Sequence, residues 1–215
     1  MPVELIPVIN VKTSKKFLER WQKLKNFSGI FQLDIADGTF TSWKTWNDPA
    51  GIKKYKIPKG SFEVHLMSNV PHILLPKWLE VAPKRIFVHL ETIKNFNDLL
   101  ILCQSNKIEL GLALKAETPL EQLNPYLKDI ASVLFLGVDP GPSGQKFQWF
   151  VLDKIQKFRR QQPAVNIELD GGVNEEVFKE AVKIGVNRLA VGSAIFETKN
   201  PEQKIQELQK LLSLK

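Results

Sequence analysis

Residues 31–36 read Phe31-Gln32-Leu33-Asp34-Ile35-Ala36, an apolar run that also carries an amide and a carboxylate two positions apart. Side chains alternate across a β-strand, so Gln32 and Asp34 share one face. A carboxylate on a strand that otherwise reads as buried is costly unless it is paired, hydrogen-bonded or bound to a metal. The run therefore predicts a buried strand with chemistry at one end. Seven further short apolar runs share this character, namely Glu4–Asn10, Phe62–Met67, Arg85–Leu90, Glu109–Leu114, Ser132–Gly137, Asn166–Asp170 and Arg188–Gly192.

Helical patterns lie between most of them. Phe17, Trp21 and Leu24 recur at helical spacing, as do Phe96, Leu99, Leu100 and Cys103. Val177, Ala181 and Ile184 form a later stripe, and Ile205, Leu208, Leu211 and Leu212 the last one. Helix starts are marked by Thr118-Pro119-Leu120-Glu121, Asn174-Glu175-Glu176 and Asn200-Pro201-Glu202-Gln203, each offering a capping side chain ahead of acidic residues. Eight strands alternating with helices, without linker or repeat, predict an α/β fold, a (β/α)8 TIM barrel forming one domain over residues 1–215. A doubly wound open sheet is the alternative, but no glycine-rich nucleotide turn follows an early strand.

The connection from Thr39 to Ser61 is long and carries Phe40, Trp43 and Trp46, with a short helical candidate near Asp48–Tyr55. Such a loop serves as a lid, packs over the barrel bottom, or meets a neighbouring subunit.

The 215 residues are 43% hydrophobic and 25% charged, which excludes wholesale disorder. A chain of this size buries roughly 70% of its unfolded surface and needs no disulfide or structural metal. Its one cysteine, Cys103, sits on a helical stripe and reads as a core residue. Low cysteine use and no recognisable secretory signal fit a cytoplasmic protein. No apolar run is long enough to span a membrane. The net charge of +7 suits anionic partners, yet the lysines are dispersed and no nucleic-acid module is present.

Barrels of this kind place chemistry at the C-terminal ends of their strands. There the sequence sets Gln32 and Asp34, His65, His89 and Glu91, and Asp170. His89 and Glu91 are expected to hydrogen-bond within the barrel interior without a catalytic role. Glycines cluster after the last three strands: Gly141 and Gly144 around Pro142 and Ser143, then Gly171-Gly172, then Gly192-Ser193. Glycine lets backbone N–H groups approach an anion, and a short helix after Gly192 would add its first N–H groups, so these loops predict a phosphate site.

Together, FQLDIADGTF, FEVHLM, IFVHLET, GLALKAETPLEQL, VDPGPSGQKF, IELDGGVN and VGSAIF resemble the ribulose-phosphate 3-epimerase family in order and spacing across nearly the whole chain. The resemblance implies a ribulose-phosphate-binding barrel that converts ribulose 5-phosphate to xylulose 5-phosphate. By position it implies Asp34 and Asp170 as acid and base, working through an enediolate. It implies Asp34, His65 and Asp170 as ligands of a divalent metal (Zn, Mn, Fe or Mg). Gly141, Ser143, Gly144, Gly171, Gly172, Gly192 and Ser193 are implied to bind the phosphate end, with Val8 and Met67 in the substrate pocket. A cytoplasmic homodimer is the implied assembly.

The chain departs from the family pattern at several of these positions. Gln32 stands where the family has its second metal-binding histidine, and Val8 where it has a serine. Ala36 and Leu136 stand where it has methionines, and Pro142-Ser143 where it has Phe-Gly. Gln32 leaves three arrangements open: a weakly held metal with Gln32 as fourth ligand or behind the ligands, metal-free catalysis with Gln32 and His65 donating to the enediolate, or phosphosugar binding without turnover. A related enzyme acting on another phosphosugar is a further alternative. Related decarboxylases carry Asp-x-Lys-x-x-Asp on the third strand; the lysine-free Glu63-Val64-His65-Leu66-Met67 disfavours that reaction.

Overall fold

The computed structural model describes residues 3–213. Strands β1 (Glu4–Ile9), β2 (Phe31–Ala36), β3 (Phe62–Met67), β4 (Arg85–His89), β5 (Glu109–Leu114), β6 (Ser132–Leu136), β7 (Asn166–Asp170) and β8 (Arg188–Val191) close into a parallel barrel in chain order. Nearly every strand position is buried, because helices cover the outside and side chains fill the inside. That double burial is why the strands read as continuous apolar runs. Four of them end one residue earlier than the sequence suggests: Asn10, Leu90, Gly137 and Gly192 fall just past their strands.

The outer layer comprises α1 (Ser14–Gln22), α2 (Pro49–Lys54), α3 (Pro71–Leu79), α4 (Phe96–Ser105), α5 (Phe150–Gln161), α6 (Glu175–Lys183), the four-residue α7 (Ser193–Phe196) and α8 (Pro201–Ser213). Asn174 caps α6 by accepting from Val177 N–H at 2.9 Å, and Asn200 accepts from Gln203 N–H at 3.1 Å, as their sequence positions predict. Cys103 is fully buried on α4, and burial pushes its thiol up to about 12.

The expected helix at Thr118-Pro119-Leu120-Glu121 is a correction. The chain makes a single 3-10 turn, Leu120–Leu123, with no side-chain cap at Pro119. The Thr118 hydroxyl donates instead to Glu91 at the end of β4. Pro125, lacking an N–H, stops the turn from propagating.

Two apolar regions support the barrel. A continuous outer core joins sheet to helices, and Phe87, Ala113, Leu134 and Leu136 form a separate cluster. Both register and side-chain alternation put this cluster inside the barrel. Toward the N-terminal ends of the strands, Arg85 Nε lies 3.2 Å from Glu63 Oε2, with Glu168 also fully buried beside it. Asp34 is paired in register with His65, and Leu136 with Asp170, so the polar side chains emerge together at the C-terminal end. No helix among the described residues is long and apolar enough to cross a membrane.

Candidate active site

Asp34, His65 and Asp170 project from β2, β3 and β7 into one buried cluster. His65 Nδ1 lies 3.3 Å from Asp34 Oδ1 and 3.4 Å from Asp170 Oδ2. Gln32 faces the same cluster: its Nε2–H2 group donates to Asp34 Oδ1 at 2.9 Å and to Asp170 Oδ2 at 2.7 Å. One amide nitrogen thus bridges the two carboxylates.

The electrostatics follow from this packing. Burial raises the Asp170 pKa, the charge of Asp34 raises it further, and contacts with His65 and Gln32 offset part of the rise. Burial opposes protonation of His65, but hydrogen bonds to Asp170 and Asp34 outweigh it and lift His65 to about 9. Asp170 is therefore biased toward holding a proton, and His65 toward its imidazolium form.

The donor set also fits a divalent cation. Asp34, His65 and Asp170 each offer one ligand atom, and these atoms lie within 4.8 Å of one another. Gln32 Oε1 is buried with no hydrogen-bond partner among the described residues, so a turn of the amide would bring in a fourth, oxygen donor. Two carboxylates, one imidazole and an amide oxygen make a harder set than one with two imidazoles, which favours manganese or magnesium over zinc.

The pocket at this cluster has Val8, Met67 and Leu136 in its apolar lining. Gly141, Ser143, Gly144, Gly171, Gly172, Gly192 and Ser193 complete the lining. All the pocket positions expected from the sequence are therefore brought together. Gly171 and Gly172 have φ of +92° and +68°, a region that disfavours other residues. They turn the chain sharply after Asp170, so the backbone itself forms the pocket wall.

Sequence reasoning missed Asn10. Its Nδ2 donates to Asp34 Oδ2 at 2.9 Å and to the Gly141 carbonyl at 3.1 Å, while its Oδ1 accepts from Trp43 Nε1–H at 2.9 Å. Asn10 thus ties β1, β2, the glycine loop and the aromatic loop together. The only signal was a lone amide closing the apolar run Pro7-Val8-Ile9-Asn10.

The aromatic loop lies at the C-terminal mouth and not at the barrel bottom. An antiparallel bridge joins Asp37 to Lys44, and backbone bonds run from Thr45 N–H to Ala36 O (2.9 Å) and from Trp46 N–H to Val11 O (2.7 Å). Phe40 lies against the His89 ring at a centroid distance of 4.3 Å, and Lys115 Nζ sits 4.7 Å from the Phe40 centroid. Trp46 turns outward and stacks on Phe17 of α1.

His89 and Glu91 extend the polar cluster. His89 Nε2 is 2.9 Å from His65 Nε2, and His89 Nδ1 is 3.2 Å from Glu91 Oε2. Burial depresses His89 to about 4 despite Glu91, with the charge of His65 lowering it further. Burial opposes ionisation of Glu91, yet hydrogen bonds from His89, Thr118 and Lys115 hold it at about 2. At neutral pH the pair is a carboxylate beside a neutral imidazole.

Comparison with known proteins shows the family and the fold. The ribulose-phosphate 3-epimerase of Bacillus subtilis is 30% identical over 190 residues, covering 86% of this chain and 88% of the relative. That of Helicobacter pylori is 29% identical over 202 residues, 91% of this chain and 93% of the relative. Among solved structures, 3-hexulose-6-phosphate synthase from Salmonella typhimurium has a TM-score of 0.74 at 15% identity, covering 98% of this chain and 99% of that one. Orotidine 5'-monophosphate decarboxylase from Sulfolobus solfataricus has a TM-score of 0.65 at 14% identity, covering 98% of both chains. At such identities these two structures share the fold and no more. The ribulose-phosphate 3 epimerase family model matches residues 8–196, a span that begins in β1 and ends with α7 and so encloses the whole cluster. The chain belongs to the ribulose-phosphate 3-epimerase family.

Proposed function

We propose that the protein epimerises a ketose phosphate at C3, interconverting ribulose 5-phosphate and xylulose 5-phosphate. The observation that carries this reading is the pair of buried carboxylates, Asp34 and Asp170, bridged by Gln32 and placed beside a glycine-lined recess. Backbone N–H groups around Gly171, Gly172, Gly192 and Ser193 hold the phosphate, which fixes the sugar's C2–C3 end over the carboxylates.

Asp34, ionised, removes the C3 proton from one face, and the electron pair of the C–H bond passes into a cis-enediolate. Asp170, biased toward its acid form, returns a proton to C3 from the opposite face. Configuration inverts and no atom is lost. The reverse reaction uses the same pair with roles exchanged, and proton exchange with water resets it. Such acid–base steps contribute on the order of 10²–10⁴-fold in rate. Asn10 fixes the Asp34 carboxylate, and Met67, Val8 and Leu136 keep water from the reacting carbon.

Asp34, His65, Asp170 and the Gln32 amide oxygen are the residues that would hold a divalent ion. Bound there, it supplies positive charge opposite the developing oxyanion. A second reading, metal-free epimerisation, is favoured by the inward Gln32 Nε2–H2 group, since Gln32 and His65 would then donate to the enediolate oxygens.

Conversion of ribulose 5-phosphate, followed with and without a chelator and with added manganese, tests both readings. The expected result is xylulose 5-phosphate formation, abolished by Asp34→Asn and by Asp170→Asn. No product under any condition overturns the assignment. Product that survives either substitution overturns the acid–base roles. Full activity in the chelator favours the second reading.

A further inference from the structure

His89 and Glu91 take no part in the proton transfers above, yet His89 is fully buried against His65 and Glu91 holds its far side. Their hydrogen bonds can be followed in one direction only. The Glu91 carboxylate is anchored at Oε1, which accepts from Lys115 N–H at 2.9 Å and from the Thr118 hydroxyl. Its other oxygen, Oε2, faces His89 Nδ1 at 3.2 Å. A carboxylate can only accept, so His89 must carry its proton on Nδ1. A neutral imidazole with Nδ1 protonated has a bare lone pair on Nε2. That lone pair meets His65 Nε2 at 2.9 Å, so His65 must donate from Nε2. Only Nδ1 of His65 is then left to face Asp34 and Asp170.

We infer that Glu91 and His89 are positioning residues that hold the His65 proton on Nε2 and present Nδ1 as the face that takes either a proton or a divalent cation. This deepens the metal reading of the same cluster and rests on it for its functional meaning. Without the relay, a neutral His65 could place its proton on Nδ1, toward the carboxylates, and would then be unable to coordinate. An outer carboxylate acting through a second group in this way raises ligand basicity and fixes ring orientation. Phe40 packs over the His89 ring, so the relay is also shielded by the aromatic loop.

Glu91→Gln tests the direction of the chain. Lys115 N–H is an obligate donor, so the amide oxygen of the new side chain stays with Lys115 and Thr118. Its NH2 group then faces His89, which must accept at Nδ1, donate from Nε2, and force the His65 proton onto Nδ1. Nitrogen-15 NMR of the metal-free protein at neutral pH is expected to show His89 protonated on Nδ1 in the wild type and on Nε2 in Glu91→Gln. Titration with manganese, read by electron paramagnetic resonance, should show affinity falling by about 10–100-fold in Glu91→Gln. The melting temperature serves as the folding control.

His89 protonated on Nε2 in the wild type overturns the inference without needing any variant. An inverted tautomer with unchanged manganese affinity also overturns it. If the wild type binds no manganese, the metal reading fails separately. The tautomer of His89 then still decides whether the relay exists.

Discussion

Gln32 Nε2 lies 2.7 Å from Asp170 Oδ2, joining side chains 138 residues apart across the top of the barrel. Closure of the sheet brings β2 and β7 to opposite sides of one opening, and the amide spans the space between their carboxylates. Replacing Gln32 by His exchanges an amide for an imidazole nitrogen aimed into the same cluster. Affinity for zinc or cobalt should rise by about tenfold or more, equivalent to roughly 1.4 kcal/mol. Competition with a chromophoric chelator reads this directly. An unchanged titration would show that residue 32 does not reach the ion.

Two glycines of the recess should behave in opposite ways. A Cβ on Gly172 would come within 2.9 Å of the Phe147 Cα, at a backbone φ of +68°. Gly172→Ala should therefore lower stability by about 1–3 kcal/mol. At Gly192 the nearest atoms, Val8 Cβ and Ser143 Oγ, are 3.6 and 3.7 Å away, ordinary contact distances. Gly192→Ala should fold with little loss and instead fill space in the recess proposed to take the phosphate. Its KM for ribulose 5-phosphate should rise at least several-fold. Denaturant titration and steady-state kinetics separate the two effects.

At the other end of the barrel, burial raises the Glu168 pKa well above the usual value, and the neighbouring Glu63 charge adds to this. Glu168 therefore holds a proton, while Glu63 pairs with the Arg85 guanidinium. A folded-state pKa above the unfolded one gives stability that is full below the ordinary value of 4.5 and lost as pH rises through the folded value. Glu168→Gln imitates the protonated form and should remove that pH dependence, gaining on the wild type as pH rises. Glu63→Gln removes the shortest ion pair of Arg85, leaving Glu4 at 3.6 Å and Glu168 at 3.9 Å, and should cost up to about 3 kcal/mol. Unfolding free energies measured across the pH range distinguish these outcomes.

Trp43 contacts the site through one bond, from its indole N–H to Asn10 Oδ1. Trp43→Phe keeps the loop's backbone bonds to Ala36 and Val11 but frees the Asn10 amide that fixes Asp34. The loss in stability should be near 1 kcal/mol, typical of a single hydrogen bond. KM should rise more than kcat falls, because the pocket wall loosens while both carboxylates remain.

The strands were legible because burial on both faces leaves unbroken apolar runs. The pocket residues were legible because carboxylates, imidazoles and glycines are out of place there. Thr118 misled because its hydroxyl has two possible partners: the helix it precedes in sequence and Glu91, 27 residues earlier. Only closure of the barrel decides between them. Asn10 was opaque for the same reason, and His89 and Glu91, expected to hydrogen-bond in the barrel interior, gave no sign of their partners. Each acquires its role from a neighbour on another strand, and a strand's own sequence carries no information about which side chain that neighbour presents. The aromatic loop's place over the mouth likewise rests on bonds to Ala36, Val11 and Asn10, contacts with no local signature.

The seam between β1 and β8, where Pro7 is aligned with Val191, has a consequence for synthesis on the ribosome. Val8 and Asn10 leave the exit tunnel ahead of Gly192 and Ser193, which complete their pocket and emerge only some 180 residues later. Until then the nascent sheet has two unsatisfied edges, and β1 waits for a partner that has not been translated. The interval between synthesis of β1 and of β8 is thus the one exposed to strand-to-strand aggregation. Acquisition of the ligand pocket should coincide with the end of that interval, not precede it.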